Sequence, residues 1–255
     1  MSQWLLLLGQ AWRIVATGVC FAIFGIGALC LAFIFVPIQT ITVTDQKKKE
    51  QVAQSIIQKS FLLFAKTMRF LGAIDYQFIG VETLKKERNC LIIANHPSLI
   101  DYVLIGSQLS QCDCLVKASI WKNFFMRGIV KAAGYIPNIN PEQLLDSCSE
   151  RLDAGNVLLI FPEGTRTKEQ GERTLQRGAS QVAVRTQTDL RVIHITVSPS
   201  FLTKEKKWYQ VPKIKPMFTV EVKDKIEVTP FITEADSLSL AARQLNKHVK
   251  KILFP

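Results

Sequence analysis

Cys90-Leu91-Ile92-Ile93-Ala94-Asn95-His96-Pro97-Ser98-Leu99-Ile100-Asp101 is the stretch from which the fold can be read. Cys90 to Ala94 is continuously apolar rather than alternating, the mark of a strand buried on both faces. Pro97 suits the first position of a helix, so the spacing predicts a helix from Pro97 with His96 at its N-cap. The same strand-then-helix pattern extends in both directions. Tyr76 to Val81, Cys114 to Val116, Asn156 to Phe161, Val192 to Val197 and Phe218 to Val222 read as further strands. Leu99 to Leu109, Ile120 to Ala133, Pro141 to Ala154, Gly178 to Thr186 and Ala235 to Leu253 read as helices. Buried strands separated by helices indicate an α/β domain, with a mostly parallel or mixed sheet flanked by helices. In such folds chemistry gathers at the carboxyl ends of the strands.

Two strand ends carry it. His96 and Asp101 lie five positions apart, and a helical Asp101 side chain leans back toward the His96 ring. A carboxylate on one ring nitrogen fixes the tautomer and leaves the other nitrogen as a general base near neutral pH. The chain has no Gly-x-Ser-x-Gly elbow to add a nucleophile, so the base is expected to act on a substrate hydroxyl. The second strand end is Val157 to Phe161 followed by Pro162-Glu163-Gly164-Thr165-Arg166. Here proline stops the strand and glycine lets backbone approach a ligand. Arg166 suits a bidentate contact to phosphate, and Glu163 can accept from an alcohol or hold the arginine.

The chain of 255 residues carries 32 Lys and Arg against 21 Asp and Glu, a net charge of +11 that calls for an anionic partner. A mean hydropathy of +0.16 beside that charge shows that apolar residues are concentrated. They are concentrated in Ile14 to Val36, 23 residues without a charge, closed by Pro37. Such a helix would be roughly 34 Å long, enough for a bilayer core of about 30 Å. A cleaved secretory signal fits worse, having an apolar region of only about 7 to 15 residues. Lys47, Lys48 and Lys49 follow the span whereas Arg13 alone is basic before it, which predicts a cytoplasmic C-terminal part, at the inner membrane in a bacterium. Gln51 to Leu71 forms a second helical period with Ile57, Phe61, Phe64, Met68 and Leu71 on one face, the pattern of an interfacial or a core-covering helix. Cys112 and Cys114 stand without a second pair at ligand spacing and read as buried strand cysteines, with no metal site expected.

Together, Asn95-His96-Pro97-Ser98-Leu99-Ile100-Asp101 and Phe161-Pro162-Glu163-Gly164-Thr165-Arg166 resemble the two signature blocks of the glycerolipid acyltransferases, the 1-acylglycerol-3-phosphate (lysophosphatidate) acyltransferase family. The resemblance implies the glycerolipid acyltransferase fold, with His96 deprotonating an acceptor hydroxyl and Asp101 orienting His96. It also implies that Asn95, Glu163, Gly164, Thr165 and Arg166 help to hold the phosphorylated acceptor. The implied donor is a thioester, acyl-CoA or acyl carrier protein; the implied acceptor is a lysophospholipid; and no cofactor takes part. Val116-Lys117-Ala118-Ser119 is similar to the family's intermediate block, which would put Lys117 near the acceptor phosphate. Where many members carry an arginine for the glycerol phosphate, this chain has Asn138 and Asn140, which leaves other lysolipids or lipid alcohols open as acceptors. Val192 to Pro199 is similar to the fourth block.

The reading divides the chain into a membrane anchor at 1–45, an amphipathic helix at 46–74 and a catalytic domain at 75–255. Thr203 to Tyr209 mixes lysine with aromatic residues, as segments facing anionic headgroups do. His194 reads as a packed histidine, and His248 as part of a solvated basic face. Three rival classes stay distinguishable by test: a thioesterase, a lipid-binding scaffold and a basic nucleic-acid binder. No motif for reading nucleic acid accompanies the charge, so a nucleic-acid partner is not expected.

Overall fold

The computed structural model describes residues 3–169, 171 and 173–254, with only the backbone of Pro141 and Glu142. A seven-stranded sheet in the order β1-β7-β6-β2-β5-β3-β4 organises the domain. Its strands are β1 (Asp75–Ile79), β2 (Cys90–Ala94), β3 (Asp113–Lys117), β4 (Ile136–Asn138), β5 (Val157–Ile160), β6 (Leu190–Ser198) and β7 (Met217–Ile226). Every neighbouring pair is parallel except β6 with β7, so the sheet is mixed, as expected from sequence. β2 lies at the centre. Ile92 and Ala94 enter the core on one face while Leu91 and Ile93 enter the core on the other, which explains its unbroken apolar run.

The flanking helices are α1 (Gln3–Cys30), α2 (Val36–Thr42), α3 (Gln46–Phe70), α4 (Val81–Leu84), α5 (Asp101–Gly106), α6 (Ala118–Lys122), α7 (Arg127–Ala132), α8 (Pro141–Asp153), α9 (Gly178–Thr186), α10 (Thr229–Thr233) and α11 (Leu238–Leu253). Three of them depart from the sequence reading. Pro37 does not close the first helix: α1 runs through a π turn, Leu31–Phe35, into α2, and the whole spans 40 residues. Proline removes one donor and crowds the carbonyl four residues back; the wider π turn just before it relieves that crowding. The helix after β2 begins at Asp101 rather than Pro97, and residues 95–100 form a loop and turn instead. The helix expected over Ile120 to Ala133 is two short helices with a loop between them. β4 was not foreseen, being three residues long with Pro137 in the middle, which only an edge strand tolerates.

The N-terminal helices pack on the domain. Ala16 and Cys20 of α1 share a core with Phe64, Ala65 and Met68 of α3, and Phe24 lies 4.7 Å from the Phe64 ring. Polar ties add to this: Gln10 Nε2 donates to the Val211 carbonyl at 2.6 Å, and Trp12 Nε1 donates to that of Leu71 at 2.8 Å. The opposite side of α1 is apolar and exposed, from Trp4, Leu8 and Trp12 to Val19, Ile23 and Ile26. This helix is long and apolar enough to cross a membrane. α3 turns Ile57, Phe64 and Met68 inward and leaves Lys59, Leu63, Lys66 and Phe70 exposed.

A buried polar network locks α3 to the sheet. Asp113, 1% exposed, accepts from Arg151 Nε and Nη2, from Gln54 Nε2 and from Asn156 Nδ2, all within 2.7 to 2.8 Å. Gln54 Oε1 accepts from the Cys112 N–H, and Arg151 Nη1 also reaches Glu50. Gly134 closes against this network at φ +67°, where a β-carbon would stand 2.6 Å from the Glu50 carboxyl carbon. Beside it, burial pushes the Cys114 thiol up to about 12 and raises that of Cys112 as well, the state of packed thiols that stay protonated.

Candidate active site

β2 and β5 are parallel neighbours with Ile93 opposite Ile160, so the segments that follow them leave the same edge of the sheet side by side. That adjacency brings the two sequence blocks together. The His96 N–H donates to Glu163 Oε1 at 2.9 Å, and the Thr167 N–H donates to the His96 carbonyl at 2.7 Å. The Thr167 hydroxyl donates to the same Glu163 oxygen at 2.7 Å. Glu163 therefore fixes the backbone that carries His96. The Phe161 ring stacks on the imidazole at 4.3 Å, a support that the sequence reading missed because an apolar strand end carries no chemical signal.

His96 Nδ1 lies 2.9 Å from Asp101 Oδ2, which also accepts the Ser98 N–H at 2.7 Å. The expected pair is present, but a tight turn makes it rather than one face of a continuous helix. Asp101 is fully buried and its other oxygen, Oδ1, has no hydrogen-bond partner among the described residues. With Nδ1 committed to the carboxylate, Nε2 remains as the basic nitrogen of a ring that borders a cavity.

Burial is the largest influence on the Asp101 carboxyl and pushes it up to about 6, although hydrogen bonds from His96 and Ser98 pull the other way. A carboxyl raised in the folded state supports the fold fully below its unfolded value near 4 and loses that support as pH rises through about 6. Relative to wild type, Asp101→Asn is expected to gain up to about 3 kcal/mol of stability between pH 4 and pH 7. Thermal midpoints of both proteins in detergent measure it, and a difference that stays flat across that window contradicts the buried carboxylate.

The cavity has a volume of about 740 Å³. Its inner walls are apolar, with Phe24 and Leu31 from the first helix, Ile57 and Phe61 from α3, and Val116 and Ile129 behind them. Its polar mouth holds His96, Lys117, Asn138, Gly164, Thr165, Arg166 and Lys204. Lys117, at the end of β3, and Lys204 are exposed cations there. Arg166 borders the cavity while its Nη1 donates to the carbonyls of Leu202 and Thr203 at 3.0 and 2.6 Å. The Leu99 N–H also donates to the Leu202 carbonyl, tying the two blocks to one further loop.

Asn95 is placed differently from its expected substrate-binding role. It does not border the cavity, and its amide accepts from the Ile195 N–H at 2.7 Å and donates to the Ile195 carbonyl at 2.8 Å. The side chain acts as one more rung between β2 and β6. Glu163 is likewise engaged with backbone and Thr167, not among the residues bordering the cavity. His194 stays outside the site on β6, where burial lowers its pKa, and exposed His248 packs near Phe231.

The family profile named Acyltransferase matches residues 75–200, the stretch that carries both blocks. Residues 75–200 form a domain of the acyltransferase family. Among curated relatives of this chain, the human 1-acyl-sn-glycerol-3-phosphate acyltransferase beta is 23% identical over 68% of this chain and 63% of its own length. A putative 1-acyl-sn-glycerol-3-phosphate acyltransferase, acl-2, of Caenorhabditis elegans is 27% identical over 51% of this chain and 49% of its own. The 1-acyl-sn-glycerol-3-phosphate acyltransferase of Borreliella burgdorferi is 24% identical over 53% and 56%. The chain thus spans about half to three fifths of the curated relatives it matches. In fold, it resembles the crystal structure of the 1-acyl-sn-glycerophosphate (LPA) acyltransferase PlsC from Thermotoga maritima, with a TM-score of 0.65 over 99% of this chain and 97% of that one, at 18% identity.

Proposed function

We propose that this acyltransferase moves a fatty acyl group from an acyl thioester to the free hydroxyl of a lysophospholipid, with 1-acylglycerol-3-phosphate as acceptor and phosphatidate as product. One observation carries the reading. The His96–Asp101 pair stands where an apolar cavity meets a mouth lined by Lys117, Arg166 and Lys204. A molecule with a long apolar chain, a reacting hydroxyl and an anionic headgroup matches that sequence of surfaces. In the reaction, Nε2 of His96 takes the hydroxyl proton as the oxygen attacks the thioester carbonyl. The tetrahedral intermediate collapses with loss of the thiolate, which takes up the proton from His96. The relatives named for 1-acyl-sn-glycerol-3-phosphate acyltransfer support this acceptor. The exposed apolar side of α1 supports a site held at a membrane surface, and Lys47 to Lys49 support a cytoplasmic orientation.

Purified protein offered labelled acyl-CoA or acyl carrier protein with a panel of lysolipids tests the proposal. Acyl transfer to lysophosphatidate is the expected result, and release of free fatty acid with or without lysolipid overturns it in favour of a thioesterase. Lys117→Met is expected to raise KM for lysophosphatidate roughly tenfold, the scale of one hydrogen bond to a charged group, and to leave KM for an uncharged monoacylglycerol unchanged. Equal effects on both acceptors contradict a phosphate contact at Lys117.

A further inference from the structure

The outer wall of the cavity has an exposed apolar surface that catalysis does not require. Residues 114–141 contain Lys117, Lys122, Arg127 and Lys131 and no acidic residue. Between α6 and α7 the chain turns at Asn123, whose side-chain oxygen accepts the N–H groups of Phe125 and Met126 at 3.0 and 3.1 Å. This turn sends Phe124 and Phe125 outward, 68% and 51% exposed, while Ile120 and Met126 on either side border the cavity. Phe33, in the π turn that follows α1, is 52% exposed with its ring 6.0 Å from Phe124 and 6.2 Å from Phe125. Leu31, two residues earlier, borders the cavity. The wall is therefore double-sided, with the cavity within and an exposed apolar cluster on a basic segment without.

We propose that the α6–α7 turn inserts into the bilayer beside the first helix, so that Phe33, Phe124 and Phe125 reach acyl-chain depth and the cavity mouth lies at the level of the headgroups. Three features on the page select lipid as the occupant. The cluster is continuous with the exposed apolar side of the 40-residue first helix. The charged residues of its own segment, 114–141, are all basic, complementary to an anionic leaflet. Trp121 stands at its edge with Lys131 Nζ 5.7 Å from the ring, the aromatic and basic pairing of a membrane interface. The turn would thereby deliver a lysolipid to His96 without removing its chain from the membrane, a consequence that rests on the proposed lysolipid acceptor.

Insertion itself is tested without activity. Phe124→Cys in a Cys30→Ser background carries a single exposed thiol, the other cysteines being buried, and accepts a fluorophore there. In vesicles of phosphatidylcholine and phosphatidylglycerol, quenching by lipids brominated along the acyl chain is expected, and its absence overturns the proposal. Phe124→Ser/Phe125→Ser is expected to raise KM for vesicle-borne lysophosphatidate about tenfold, because membrane affinity scales with inserted apolar area, and to leave KM for a short-chain monomeric lysophosphatidate within about twofold. Equal KM values for vesicle substrate in variant and wild type overturn it. So does an unquenched probe with a raised KM for acyl carrier protein alone, which would make this a docking surface for an acidic carrier. Quenching without lysolipid turnover refutes the acceptor while upholding insertion.

Discussion

His96→Ala is expected to lower kcat for acyl transfer by about 10³-fold or more while the protein stays folded and membrane-bound, since a positioned general base contributes roughly 10² to 10⁴. The ring is one-fifth exposed, bonded to Asp101 and stacked on the half-buried Phe161, and lies outside the buried core cluster, so its removal leaves the core intact. Asp101→Asn keeps the shape but exchanges the carboxylate for an amide that can present N–H to Nδ1, and a loss of about 10² to 10⁴ is expected. The double variant should be little worse than His96→Ala alone, because the two groups act as one unit. Single-turnover rates on purified variants decide this. Wild-type turnover by His96→Ala, or multiplicative losses in the double variant, contradicts a dyad.

Arg151→Met is expected to cost about 3 to 5 kcal/mol of stability, the effect of leaving one charge of a buried pair uncompensated. Asp113 is 1% exposed and receives two of its four hydrogen bonds from that guanidinium. Asp113→Asn combined with Arg151→Met removes both charges and should recover part of the loss. The consequence extends to the site. The network holds Gln54 and Glu50 of α3, and the same helix supplies Ile57, Phe61 and Phe64 to the cavity. Denaturant midpoints in detergent measure the stability change, and a shift equivalent to less than about 1 kcal/mol, typical of an exposed pair, contradicts the reading.

The elements legible in the sequence are those whose environment imposes one composition. β2 and β5 are buried on both faces and so appear as unbroken apolar runs, and α9 was read with its observed ends. β4 escaped because three residues with a central proline carry no periodicity. The start of α5 was misplaced because Pro97 is equally compatible with a turn, and the Ser98 to Asp101 bond makes that turn the better solution. α3 showed its apolar face but not its burden: Gln54, a polar residue with no place in the apolar repeat, is 5% exposed and bonds both Asp113 and the Cys112 N–H.

By itself, the amino-acid sequence determined the α/β class, the apolar first helix and the chemistry of the two blocks, because burial periodicity and reactive side chains are local properties of the chain. Only the tertiary structure decided what each block residue touches. Parallel pairing of β2 with β5 turned Glu163 toward the His96 backbone, the β6 edge took up both ends of the Asn95 amide, and Phe161 came to stack on the imidazole. Those partners are distant in sequence, up to 100 positions for Asn95 and Ile195, and no local pattern encodes which of them will meet. The apolar run read as an anchor likewise became one wall of a cavity, since α3 and the sheet supply the surfaces on which Ala16 and Cys20 are buried.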